Sequence, residues 1–145
     1  MTIQYVLKNR ITPVIIITTL LLFCACADPV DKASVHLTKA NEYFDGREFK
    51  KAQIEFQNAL QFDPENDAII QQLGETYVKL QNPLKAAQTF ALAVKINPDN
   101  HTAHLRLAQI LLLAEETKKA RETALELQKK QPDNIEILHL LASVQ

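Results

Sequence analysis

Apolar residues in the second half of the chain recur at helical spacing, and they do so in paired short runs. Leu73, Tyr77 and Leu80 stand at i, i+4 and i+7, which puts them on one face of a helix. After the break Gln81-Asn82-Pro83, a second set, Ala86, Phe90, Ala93 and Val94, shares another face. Pro83 suits the first turn of that second helix, where its missing N–H has no intrahelical partner to lose. One unit earlier, Asp45-Gly46 reads as the corresponding turn. Each unit thus predicts two helices joined by a short connection.

The units repeat. Pro64, Pro98 and Pro132 recur at a period of 34 residues, and Asn66, Asn100 and Asn134 each follow two positions later. Laid out at that period, the chain gives units 33–66, 67–100 and 101–134 and a partial fourth, 135–145. Small residues then align at the eighth place (Ala40, Gly74, Ala108, Ala142), the twentieth (Ala52, Ala86, Ala120) and the twenty-seventh (Ala59, Ala93, then Leu127). Large ones align at the eleventh (Tyr43, Tyr77, Leu111) and at the twenty-fourth (Phe56, Phe90, then Ala124). The small columns let two helix axes approach, and the large ones fill the space beside them. Proline cannot continue the preceding helix, and asparagine caps the next. The phrase Pro-Asp-Asn is the stop between helical hairpins.

Period and columns together resemble the tetratricopeptide repeat, over Ala33 to Gln145. The resemblance implies an all-α solenoid of stacked antiparallel helical hairpins, and a non-catalytic scaffold that binds a protein or peptide in a concave groove lined by the first helix of each hairpin. Carried over place by place, the groove residues are Leu37, Asn41 and Phe44; Gln71, Gln72, Glu75, Val78 and Lys79; and Arg106, Gln109, Leu112 and Leu113. Family members that hold chaperone C-termini use a clamp of Lys, Asn, Asn, Lys and Arg. Here those places carry Leu37, Asn41, Gln72, Thr102 and Arg106, so both lysines that would pair with carboxylates are missing. The third unit departs from the pattern at Leu111, Ala124 and Leu127, and is expected to keep register while packing differently. In the fourth, Ile137, Leu138, Leu141 and Val144 do not form the polar outer face that usually closes such an array. Either a partner covers this helix or the array continues.

The first 27 residues are of another kind. Lys8 and Arg10 precede a 17-residue uncharged run, Ile11 to Ala27, the layout of a signal peptide or membrane anchor. A linker, 28–32, follows. The end of the run resembles the lipobox of bacterial lipoproteins, with Ala25 before Cys26, which makes Cys26 the lipid-attachment residue; Cys24, after bulky Phe23, fits less well. Cleavage after Ala25-Cys26-Ala27, releasing a soluble protein that starts at Asp28, and an uncleaved anchor are the alternatives. Together with the repeat that follows, the segment resembles the repeat lipoproteins of exosortase (PEP-CTERM) systems, with outer-membrane assembly and pilus lipoproteins as the nearest competitors. The expected location is the bacterial cell envelope, membrane-anchored with the repeats in the periplasm.

Composition changes this picture little. Two glycines and no tryptophan disfavour a glycine-loop enzyme fold. Loss of the leader would remove two of the 16 basic side chains and none of the 17 acidic ones. An acidic remainder has no electrostatic reason to hold nucleic acid. Both cysteines fall in the leader, so no disulfide framework is expected in the repeats.

His101 and His104 could share a helix face, but no thiol or carboxylate completes a metal site. His36 and His104 occupy the same repeat place, which points to packing. No G-x-S-x-G, P-loop or H-E-x-x-H is present. Neither catalytic residues, cofactor, metal nor small-molecule substrate are therefore expected. The other class of function left open is a regulatory or targeting module of a longer enzyme. Lys118, Lys119, Arg121, Lys129 and Lys130 read as solvated outer faces.

Overall fold

The computed structural model describes residues 29–144, which form seven helices and no strand. They are α1 (Pro29–Asp45), α2 (Phe49–Phe62), α3 (Asp67–Lys79), α4 (Pro83–Ile96), α5 (His101–Leu113), α6 (Thr117–Lys130) and α7 (Ile135–Ser143). Helices α1 and α2, α3 and α4, and α5 and α6 pair as hairpins, and each hairpin packs on the next. The stretch 28–32, read above as a linker, is helical from Pro29 onward. Proline is well placed to start a helix, because its φ is already helical and it has no N–H to leave unpaired.

The asparagines between hairpins act as the periodicity requires. The side-chain oxygens of Asn66, Asn100 and Asn134 accept from the backbone N–H of Ile69, Ala103 and Glu136, satisfying donors that the first turn leaves orphaned. The amide nitrogens are used too. Asn66 Nδ2 donates to Asp63 and Asn134 Nδ2 to Gln131, both at 2.8 Å. Asn100 Nδ2 reaches back to Asp67 at 2.7 Å, where Asn97 Nδ2 also donates at 3.1 Å. Asp67 thus ties the start of one hairpin to the start of the next.

The turns inside the hairpins correct the expectation for Asp45-Gly46. The residue that crosses into left-handed space is the one after the glycine, Arg47 (φ 60°), with Gln81 (φ 55°) and Glu115 (φ 61°) at the same repeat place. At each turn the N–H of this residue bonds three residues back, and the following N–H bonds five back: Arg47 to Phe44 and Glu48 to Tyr43, Gln81 to Val78 and Asn82 to Tyr77, Glu115 to Leu112 and Glu116 to Leu111. That pair of bonds is the Schellman closure of a helix C-terminus, commonly built on glycine. This chain builds it three times on residues that carry a Cβ.

In the three complete units the small columns are buried: Ala40, Ala52, Ala59, Ala86, Ala93, Ala108 and Ala120 have no exposed surface. Gly74 lets the Phe90 ring come so close that an added Cβ would stand 2.8 Å from it. One apolar cluster includes Phe56, Tyr77 and Phe90 and extends into α5 through Ala103 and Ile110. A smaller one, without an aromatic ring, joins α5, α6 and α7 through Ala108, Ala124 and Leu140. In the first two hairpins a buried Phe is followed one turn later by a buried Ala. In the third this order is reversed, with Ala124 and then Leu127 both buried. Bulk lost at one layer is restored at the next.

The two ends of the stack differ. At the third, seventh and tenth places, Ile69, Leu73 and Thr76 are buried against the preceding hairpin, whereas the first unit carries Val35, Lys39 and Glu42 there, all exposed. On α7, Ile137 and Leu140 are buried and Leu141 is half-buried, and Val144 at its C-cap is buried too, so this helix packs onto the third hairpin. Leu138 and Ala142 are exposed, although their counterparts in the second and third units, Ile70, Gly74, His104 and Ala108, are buried beneath a second helix.

Candidate partner-binding groove

Helices α1, α3 and α5 stand side by side because the second helix of each hairpin packs behind them, and their remaining face is turned to solvent. Spacing of i, i+3 or i+4 and i+7 places the fifth, sixth, ninth, twelfth and thirteenth residues of each on that face. Two contacts show that these places meet across hairpins. Arg106 Nε of α5 donates to Glu75 Oε1 of α3 at 2.6 Å, while Arg106 Nη1 reaches Gln109 at 3.3 Å. Phe44 of α1 and Lys79 of α3 line one cavity of about 440 Å³ with Asp45, Arg47 and Phe49. The Phe44 ring rests edge-on against Phe49 at 5.5 Å.

Exposure sorts the groove residues. Asn41, Val78, Lys79, Arg106 and Leu113 are exposed, Leu113 at 83%. Leu37, Phe44, Gln71, Gln72, Glu75, Gln109 and Leu112 are half-buried. Leu37 and Phe44 pack on the larger apolar cluster, so they support the groove floor as much as they line it. The Glu75 carboxylate, 15% exposed, is the more sheltered member of its pair with Arg106. Thr102 is exposed and also lines the wall.

Toward α7 the groove deepens into a cavity of about 460 Å³. Arg106 and Gln109 line it as expected, but so do Leu105, Gln131 and Glu136, which the sequence reading had not placed there. Leu105 occupies the same repeat place as Leu37 and Gln71, and Glu136 the same place as Thr102. Extending the groove places through every unit, the partial fourth included, would have found both. Glu136 adds a carboxylate at this end, near the amides of Gln109 and Gln131.

His36 and His104 are held by packing and hydrogen bonds. His36 Nδ1 contacts Glu55 Oε2 at 2.6 Å, holding that carboxyl below its usual range, and the imidazole stacks on Phe62 at 5.8 Å. His104 is buried, with Nε2–H donating to the Pro98 carbonyl at 3.1 Å and Nδ1 without a partner. Burial pushes its pKa down, and nearby Lys130 acts in the same sense. Lys130 itself donates to Pro98 O and Asp99 Oδ1, clamping the end of α6 onto the preceding loop. Lys118, Lys119, Arg121 and Lys129 are exposed as expected. Cys24, Cys26 and the leader lie outside the described residues.

Three stacked hairpins with an open inner face define a helical-repeat solenoid. Residues 81–144 match the family model described as tetratricopeptide repeat, and the described residues as a whole have the fold of stacked helical hairpins. Similar solved structures are tetratricopeptide domains as well. The first such domain of Spaghetti (RPAP3), bound to the HSP90 peptide SRMEEVD, superposes with a TM-score of 0.73 at 22% identity, over 79% of this chain and 91% of that one. The second domain of human RPAP3, in complex with the HSP70 peptide SGPTIEEVD, gives 0.74 at 15% identity over 81% and 98%. MamA from Desulfovibrio magneticus RS-1 gives 0.74 at 18% identity over 79% and 64%. No curated protein matches the chain in sequence.

Proposed function

We propose that the chain is a protein-interaction scaffold that holds a partner segment across α1, α3 and α5, tethered to the bacterial envelope through its N-terminal segment. The observation that carries the binding role is the inner face itself. Its amides Asn41, Gln72 and Gln109 have at most one side-chain partner, and Val78 and Leu113 lie open to solvent. The solved relatives with peptides bound support this use of the fold. Photo-cross-linkers at Asn41 and Gln72 should capture a partner in higher yield than one at outer-face Lys118. Equal yields would remove the groove from the proposal.

Tethering is supported by Lys8 and Arg10 ahead of an uncharged run that ends in Ala25-Cys26. Several acyl chains on one cysteine would hold the protein far more firmly than one. Cys26→Ala should abolish acyl labelling and release the protein from membranes, and Cys24→Ala should do neither. Retention of both variants in the membrane pellet would make the segment an uncleaved anchor. A place in exopolysaccharide export of the exosortase type is the finer reading. It is supported by the leader combined with the repeat.

A further inference from the structure

The free faces of the second helices carry a charge that the rest of the molecule does not. The eighteenth, nineteenth, twenty-second, twenty-fifth and twenty-ninth places of each unit stand at i, i+1, i+4, i+7 and i+11, which is one stripe of a helix. It lies opposite the buried twentieth, twenty-fourth and twenty-seventh places, and all fifteen of its residues on α2, α4 and α6 are exposed. Seven of the fifteen are lysine, with Lys51, Lys85 and Lys119 at the same place in every unit, and only Glu122 carries a carboxylate. Between the lysines, Ile54 and Leu84 are 55% and 69% exposed. Taken whole, α2, α4 and α6 hold nine basic and three acidic side chains, whereas the other described residues hold five and thirteen. The molecule has a basic back with apolar residues set into it, and an acidic remainder.

We propose that this back docks onto an anionic lipid bilayer, the one to which the chain is tethered; the inference rests on the tethering proposed above. The length of the tether argues for this occupant. Helix α1 begins at Pro29, so two residues separate it from Cys26. An extended chain spans at most about 3.3–3.6 Å per residue, which starts the array within about 10 Å of the anchor. Charge argues for it as well. Lysine lays its alkyl stem along apolar surface while its ammonium stays at the headgroups, and Ile54, Leu84 and Leu125 supply apolar contact, as on helices that lie in a membrane interface. Glu48 and Glu116 contact Lys51 and Lys119, but exposed pairs of this kind are weak and lipid phosphates can replace them. Anionic headgroups attract the back and repel the acidic remainder. Docking therefore turns the inner face of α1, α3 and α5 away from the lipid and leaves it open to a partner.

The full chain can carry an environment-sensitive fluorescent amino acid at Gln88 on the back or, for comparison, at Leu113 on the inner face. Each form is mixed with vesicles of phosphatidylcholine, with or without phosphatidylglycerol, that contain a nitroxide-labelled lipid as quencher. Flotation reads the tether, and quenching reads docking. Both vesicles should float the protein, and phosphatidylglycerol should raise quenching at Gln88 several-fold but not at Leu113. The gain should disappear between 0.1 and 1 M salt, as the screening length falls from about 10 Å to about 3 Å. Lys50→Glu and Lys95→Glu, at exposed positions that leave the fold intact by circular dichroism, should each weaken it, whereas Lys79→Glu makes the same charge change on the inner face and should not. Equal quenching at the two probes, equal quenching in the two vesicles, or an equal loss with Lys79→Glu overturns the docking surface and leaves the tether standing. Flotation and Gln88 quenching that occur only with phosphatidylglycerol remove the tether and keep the docking surface, and no flotation with either vesicle removes both. A Gln88 spectrum that shifts with protein concentration without vesicles, and no further with them, gives the back to the acidic face of a second copy instead.

Discussion

Arg47, Gln81 and Glu115 hold a backbone conformation that costs a residue with a Cβ about 1–2 kcal/mol. Glycine avoids that strain and gives back part of the gain in unfolded-state entropy. Each of Arg47→Gly, Gln81→Gly and Glu115→Gly should stabilise the fold by about 0.5–1 kcal/mol, read from urea midpoints at constant m. Gly74 should behave in the opposite way. Alanine would gain about 1 kcal/mol in helix propensity, but its Cβ would press the buried Phe90 ring, and overpacking costs about 1–3 kcal/mol. Since Ala40 and Phe56 coexist at these two places in the first hairpin, the ring can adapt, and Gly74→Ala should be destabilising by a net of about 1 kcal/mol. His104 makes stability depend on pH. Its folded pKa lies below the ordinary 6.5 through burial, so the unfolded chain takes up the proton first. The stability it contributes is whole above about pH 6.5 and is lost as pH falls below that value. His104→Ile, with the residue that the second unit carries as Ile70, should flatten the urea midpoint between pH 7 and pH 5. A slope that survives the substitution would place the sensitivity elsewhere.

At the scale of the hairpin, periodicity carries most of the information. The capping asparagines and the buried alanine columns of the complete units were legible, because each is fixed by contacts that recur every 34 residues, whereas the start of α1 at Pro29, inside the expected linker, was not. What periodicity hid was local exchange of bulk. The third unit breaks the pattern at Ala124 and again at Leu127, and read singly these are two defects. In the structure they are one compensated change, since Leu127 is buried where the other hairpins have alanine. Leu127→Ala alone should cost about 2–5 kcal/mol, and Ala124→Phe alone about 1–3 kcal/mol by overpacking. The double change restores the order of the first two hairpins and should cost less than the sum of the single changes by at least about 0.5 kcal/mol. A double-mutant cycle that closes additively would mean that the two layers do not share space. The placement of residues on the inner face of α1, α3 and α5 was legible in the same way, while Leu105 and Glu136, which also line its deeper end, were missed. The Glu75–Arg106 pair was hidden because it joins the ninth place of one unit to the sixth of the next, and no single-unit pattern contains it.

Over the whole molecule, stability in a stacked array is a sum over hairpins and the interfaces between them, so it need not be uniform. Here the distribution follows from where the rings are. The larger cluster holds Phe56, Tyr77 and Phe90, with α1 to α5 arranged around it. The smaller holds two alanines and Leu140, and α7 packs on one side only, leaving Ile135 69% exposed. Leu127 and Ile137 are fully buried at that end, but it holds no ring to match Phe56 and Phe90. Each large apolar side chain fully buried contributes about 1.5–3 kcal/mol, so the α6–α7 end has less to lose on opening. Native-state hydrogen exchange should therefore show amides of α6 and α7 exchanging through a sub-global opening, while those of α2 to α4 exchange only by global unfolding. The inner face crosses that boundary: Asn41, Gln72 and Val78 sit on the firm part, Gln109 and Leu112 beside the loose one. A ligand spanning both must fix the loose end in order to bind, and its binding energy adds to the stability of that end by mass action. A partner segment bound across the inner face should accordingly slow exchange in α5 to α7 by a larger factor than in α2. Equal protection along the array would show that the three hairpins already open as one unit.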